Sequence, residues 1–134
     1  MRIFRIYAGA DGESHFEDVE IPLHGAANSS SYSALVPATG VIFRRSPADQ
    51  YLDWHPAPRR QYVITLSGRA EVEASDGEVR RIGPGTIMLA EDTTGKGHIT
   101  RGVGTEERVS LFIPLPLRPA HWRARRWPGR PPGG

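Results

Sequence analysis

Two histidines that lie far apart along the chain, His55 and His98, carry the side chains best suited to chemistry. Imidazole changes charge near neutrality, so each can take or give a proton or bind a metal. His55 stands in the stretch Trp54 to Gly68, WHPAPRRQYVITLSG, where two arginines and a glutamine come just before an apolar run. An arginine can hold a carboxylate or enolate through paired hydrogen bonds. Arg59 is the first choice for that role beside the two histidines, and Arg45 is a further candidate. In strand alternation Ala57, Arg59 and Gln61 share the side of His55. Gln61 is expected to orient a ligand, and Val63 and Thr65 to line the floor beneath it. Trp54 and Tyr62 are candidate aromatic walls, although such residues more often pack in a core. The loop Asp92 to Gly97, DTTGKG, has two glycines that allow sharp turns. It is read either as a flap that closes over the site or gives N–H groups to an anion, or as a plain surface turn. It lacks the spacing of a Walker phosphate loop.

The elements that must position these residues read as short strands. Ile3 to Ala8, His15 to Ile21, Val41 to Arg45, Tyr62 to Leu66, Ala70 to Ala74, Glu78 to Ile82, Thr86 to Ala90, His98 to Arg101 and Glu106 to Pro114 have strand composition or alternation. Ser67-Gly68, Asp76-Gly77 and Gly83-Pro84-Gly85 separate them as tight turns, and Asp-Gly between alternating segments is a strong hairpin signal. His55-Pro56-Ala57-Pro58 must be extended, since each proline fixes its own φ and bars the helical region to the residue before it. Residues 24–34, HGAANSSSYSA, read as a loop. Helical periodicity is absent before residue 119, so the pattern predicts an all-β sandwich or barrel.

The chain has 134 residues, which is one domain by the usual length prior. The body is expected over 1–117 and a basic tail over 118–134. Net charge is +2, but Arg118, Arg123, Arg125, Arg126 and Arg130 all belong to the tail. Without them 12 basic residues face 15 acidic ones, so the body does not read as a nucleic-acid surface. The tail also holds Trp122, Trp127 and His121; it reads either as a contact for nucleic acid or an anionic membrane or, at least as readily, as a segment that packs its tryptophans on a neighbouring subunit. Cysteine is absent, which removes disulfides and thiol nucleophiles. The first residues, MRIFRIYAGADGES, show no apolar leader, and no stretch reaches the length of a membrane helix. A cytoplasmic protein is expected, with no membrane partner.

Residues 55–98 resemble the cupin superfamily. In the first cupin motif His55 matches the leading histidine, Ala57 stands where a second histidine is usual, and Gln61 stands where a glutamate is usual. Gly68 follows at the spacing the motif asks. In the second motif Gly85 matches the start, Glu91 replaces a proline, Thr93 a glycine and Gly102 an asparagine. His98 fits the motif's histidine with two extra residues in the loop. The Asp92 to His98 loop is similar to that of a group of small single-domain cupins and implies no reaction. The resemblance covers about residues 40–115. It implies a double-stranded β-helix, or jelly-roll barrel, with the site inside.

Cupins typically hold a divalent metal with three histidines and a glutamate. The resemblance therefore implies His55, His98 and Gln61 as metal positions, for Fe, Mn, Ni, Cu or Zn. Two imidazoles and a neutral amide make a poor set, and His15, His24, Asp53 or Glu91 would have to add a ligand. A site without metal is the equal alternative. Cupins also often form homodimers through edge strands. The function expected is a small-molecule enzyme, an isomerase, cyclase, lyase or metal-dependent oxygenase. Its ligand would be a small anion. The rival is a binding or sensing protein that captures a small carboxylate without turnover.

Overall fold

The computed structural model describes residues 1–117, and the tail from Arg118 onward lies outside the described residues. All regular structure within them is β. In chain order the strands are β1 (Arg2–Ala8), β2 (Ser14–Glu20), β3 (His24–Gly25), β4 (Ser31–Tyr32), β5 (Ile42–Ser46), β6 (Tyr51–His55), β7 (Gln61–Ser67), β8 (Arg69–Ala74), β9 (Val79–Ile82), β10 (Ile87–Glu91), β11 (His98–Val103) and β12 (Arg108–Pro114). A six-stranded sheet has the order β2-β1-β10-β7-β12-β5, and a four-stranded sheet the order β6-β11-β8-β9. The large sheet is mixed, because β1 runs parallel to β10 while its other ladders are antiparallel. Neither sheet closes on itself. The described residues thus bear out the all-β expectation as two open sheets, ending at β2 and β5 in one and at β6 and β9 in the other. No helix among the described residues is long and apolar enough to cross a membrane.

The period-2 pattern of the strands explains how the sheets meet. In β8 the small and branched residues Ala70, Val72 and Ala74 are buried while Arg69, Glu71 and Glu73 lie outward. They pack with Ile82 of β9 against Phe4 and Ile6 of β1, Phe16 of β2, Val63 of β7, and Met88 and Ala90 of β10. This is the layer between the sheets. A second cluster, Ile3, Val19, Leu89 and Leu115 with Ile21, Tyr62 and Ile87, covers the outer face of the large sheet. The strand β10 reads as apolar throughout because it is buried on both faces.

Two segments depart from the sequence reading. Residues 24–34 contain a small β3–β4 ladder, with His24 opposite Tyr32. Residues 51–55, which carry no apolar alternation, form β6 and pair with β11. The turn at Gly68 is as expected and has a further reason to be glycine. Its φ is +76°, and an added Cβ would lie 2.7 Å from Arg108 Cα.

Candidate functional site

The two histidines sit directly opposite each other on neighbouring strands, His55 on β6 and His98 on β11. Their ring centroids are 4.5 Å apart, with the planes inclined at 55°. A shift in register brings them together. Between the His98–His55 pair and the Thr100–Leu52 pair, β6 advances three residues while β11 advances two. Such a bulge re-aims the side chains beyond it. Leu52 and His55 consequently both face the space between the sheets, where regular alternation would have separated them.

Each ring is oriented through its Nδ1. His98 Nδ1 lies 2.5 Å from Asp92 Oδ2, and Asp92 is fully buried. His55 Nδ1 lies 2.7 Å from the Asp53 carbonyl oxygen. A carbonyl can only accept, so His55 donates from Nδ1 and its neutral ring presents a lone pair at Nε2. A carboxylate imposes the same choice on His98. In both rings Nε2 is the nitrogen left to meet a ligand.

The loop 92–97 packs down rather than arching over the cavity. The Lys96 amide meets the Gly12 carbonyl at 3.4 Å, Lys96 Nζ bonds Glu13 at 2.6 Å, and Ser14 Oγ donates to the Gly97 carbonyl at 2.7 Å. Gly97 has φ +73°, and a Cβ there would collide with the His55 carbonyl. Its backbone is therefore a brace for His55, which corrects the flap reading.

The cavity beside the histidines has a volume of about 240 Å³. Gln61, Val63 and Thr65 of β7 line it from the large sheet. Four other candidate residues, Arg45, Trp54, Tyr62 and Arg59, are not in the lining. Arg45 projects outward with its side chain 76% exposed and bonds Glu107 at 3.1 Å. Trp54, within the bulge, is exposed. Tyr62 packs into the outer cluster, because alternation along β7 turns it away from Gln61 and Val63. Arg59 is exposed and does not line the cavity. It reaches in only as far as Gln61, donating from Nη1 to Oε1 at 3.0 Å, while Arg60 bonds Glu91 and the Pro116 carbonyl.

Several residues of the site went unread in the sequence. In the sequence Asp92 reads only as part of a polar loop; its neighbour Glu91 is held on the outer face by Arg5 and Arg60, at 3.0 and 2.8 Å. Arg44 and Arg108 line the cavity, together with Thr100, Ser110 and Phe112. Strand parity was the missing signal. In β5, Arg44 opposes Ser110 and therefore faces inward, while Arg45 opposes Val109 and faces outward.

The donors present do not fit a resident divalent metal. Among the described residues no three of His, Asp, Glu and Cys converge. Gln61 Oε1 already accepts from a cationic guanidinium, and the nearby carboxylate of Asp92 is engaged behind His98. Two imidazoles fall short of the three protein ligands usual in catalytic sites. The further ligands considered are turned elsewhere. His15 bonds Asp11 and Asp76, His24 is exposed on β3, and the Asp53 side chain is exposed.

No protein-family model matches the chain, and no curated protein matches it. Among solved structures, a conserved protein of unknown function from Streptococcus pyogenes is similar at 21% identity, over 64% of this chain and 72% of that one, with a TM-score of 0.46.

Proposed function

We propose that the chain is a small-molecule enzyme of the isomerase, cyclase or lyase kind, working by proton transfer between the two sheets. The observation that carries this reading is the oriented histidine pair. His98 is fixed from behind by a buried carboxylate and His55 by a backbone carbonyl, with both rings lining the same cavity. One neutral Nε2 takes a proton from carbon beside a substrate carbonyl, and the electron pair moves onto the carbonyl oxygen. The other ring, protonated, then returns a proton at a second atom or to a leaving group. Asp92 holds the tautomer and orientation of His98 throughout. Gln61, pinned by Arg59, offers its amide N–H to the substrate oxygen. The same reading includes a divergent jelly-roll fold of the cupin kind. Support comes from the two facing sheets and from the motif positions His55, Gln61 and His98 meeting in one cavity.

The test is solvent exchange. Wild-type protein is incubated in deuterated buffer with a panel of small oxo acids, and deuterium incorporation is followed by NMR. Replacing either histidine (His98→Asn, His55→Ala) is expected to lower the exchange rate by roughly 10²–10⁴, the usual contribution of a positioned acid or base. A His98→Asn protein that exchanges at the wild-type rate would refute the proton-transfer reading. The alternative, capture without turnover, takes its place if ligands bind and none exchanges.

A further inference from the structure

The far end of the cavity is built differently from the histidine end. On β12, Arg108 is 3% exposed and Ser110 2%, and Thr65 opposite Ser110 is 1% exposed. Arg44 stands beside Ser110 on the edge strand. Arg44 and Arg108 both donate from Nη2 to a single neutral acceptor, Gln50 Oε1, at 2.9 and 3.0 Å. No carboxylate among the described residues pairs with either guanidinium. Arg108 Nη1 and Ser110 Oγ are buried without a hydrogen-bond partner. Two cations sharing one neutral oxygen, with buried donors left over, is costly unless something anionic completes it. Burial weakens the hold of both guanidinium groups on their protons, and in Arg108 the neighbouring Arg44 charge adds to this.

The register fixes where this end lies relative to the histidines. Gln61 opposes Ala90, two residues before Asp92, so the start of β7 is at the histidine end. Thr65 is four residues further along, roughly 13 Å at strand rise. The small sheet agrees, because the Gln50 carbonyl bonds the Gly102 amide, four residues along β11 from His98. Between the two ends the walls are Val63, Val72, Met88 and Phe112.

We propose that the Arg44–Arg108–Ser110 floor is the binding site for the oxyanion group, carboxylate or phosphate, of an organic ligand. The ligand's short apolar body spans the waist and presents its other end to His55 and His98. This deepens the enzymatic reading by giving its substrate class, and it rests on the same cavity. The anion is met by Arg108 Nη1 and Ser110 Oγ, buried donors that have no other partner, beside two guanidinium groups that share one neutral oxygen, and bonds from a charged donor to an anion are the strong ones.

The test is thermal unfolding of the full chain with hexanoate, hexyl phosphate, inorganic phosphate or hexylamine. Hexanoate or hexyl phosphate should raise the melting temperature, and the larger shift names the head group. Hexylamine should not. Arg108→Met and Arg44→Met should weaken the responding anion at least about tenfold. Arg108→Met should also melt higher than wild type without ligand, since it removes a buried unpaired charge. A merely structural Arg108 would give the opposite sign. Absence of a shift with any anion, a shift retained in both variants, or a response to inorganic phosphate alone would overturn the proposal. His98→Asn separates the two readings, because it should lose exchange while keeping the hexanoate or hexyl phosphate shift.

Discussion

Replacing Gly97 by alanine tests whether the loop before β11 exists to hold His55. Two costs apply. Gly97 has φ +73°, where an L-residue is disfavoured by about 1–2 kcal/mol. The new Cβ would also collide with the His55 carbonyl, and relieving such an overlap typically costs about 1–3 kcal/mol more. Gly104→Ala is the control. It has φ +83° and nothing within 4 Å of the added Cβ, so it pays the first cost alone. For the 117 described residues the unfolding entropy is about 0.25 kcal/mol/K. Gly104→Ala should then lower the melting temperature by about 4–8 °C, and Gly97→Ala by about 8–20 °C. Calorimetry reads the difference, and NMR of ¹⁵N-labelled histidine reads the cause. The imidazole resonances of His55 and His98 should move in Gly97→Ala and stay in place in Gly104→Ala. Equal melting losses with unmoved histidine resonances would refute the bracing role.

Further outcomes follow from other contacts. His15 lies between two carboxylates; the hydrogen bond to Asp11 is the largest influence and raises its affinity for a proton, burial opposes this, and the hydrogen bond to Asp76 with the charges of both acids adds to the rise. A raised value stabilises the fold fully below the ordinary histidine value of 6.5 and loses that contribution as pH rises through the folded value. His15→Asn should therefore cost more stability between about pH 5 and 6.5 than two units higher, by melting scans across pH; a pH-independent difference would contradict it. Gln61→Glu should convert the histidine pair into a three-ligand set and bind a divalent metal more tightly than wild type does, measured by calorimetric titration. Equal metal binding in the two proteins would show that the amide already serves as a ligand. We also propose a homodimer through the β5 edge, where Val41, Ile42 and Phe43 are exposed. Sedimentation should show Phe43→Glu shifted to monomer, and an unshifted dimer would place the interface elsewhere.

The sequence of this chain was enough to determine an all-β body and nine of its strands, because β-branched runs, prolines and Asp-Gly or Ser-Gly turns leave helices no room; β3, β4 and β6 were not legible in it. It also marked His55, His98 and Gln61, since few side chains can do chemistry; all three stand at strand ends. Asp92 could not be told from Glu91 in the sequence. Two adjacent acids at a strand end differ only in which face they meet, and one joins His98 while the other joins Arg5 and Arg60. Arg44 and Arg45 pose the same problem, since a one-residue change of parity exchanges cavity for solvent. Trp54 and His55 were decided by a bulge that exists only in the pairing of β6 with β11. Sequence thus determined the kinds of residue available and the period in which they alternate. Only the tertiary pairing decided which member of each adjacent pair faces inward, because register is a property of two strands and is written in neither alone.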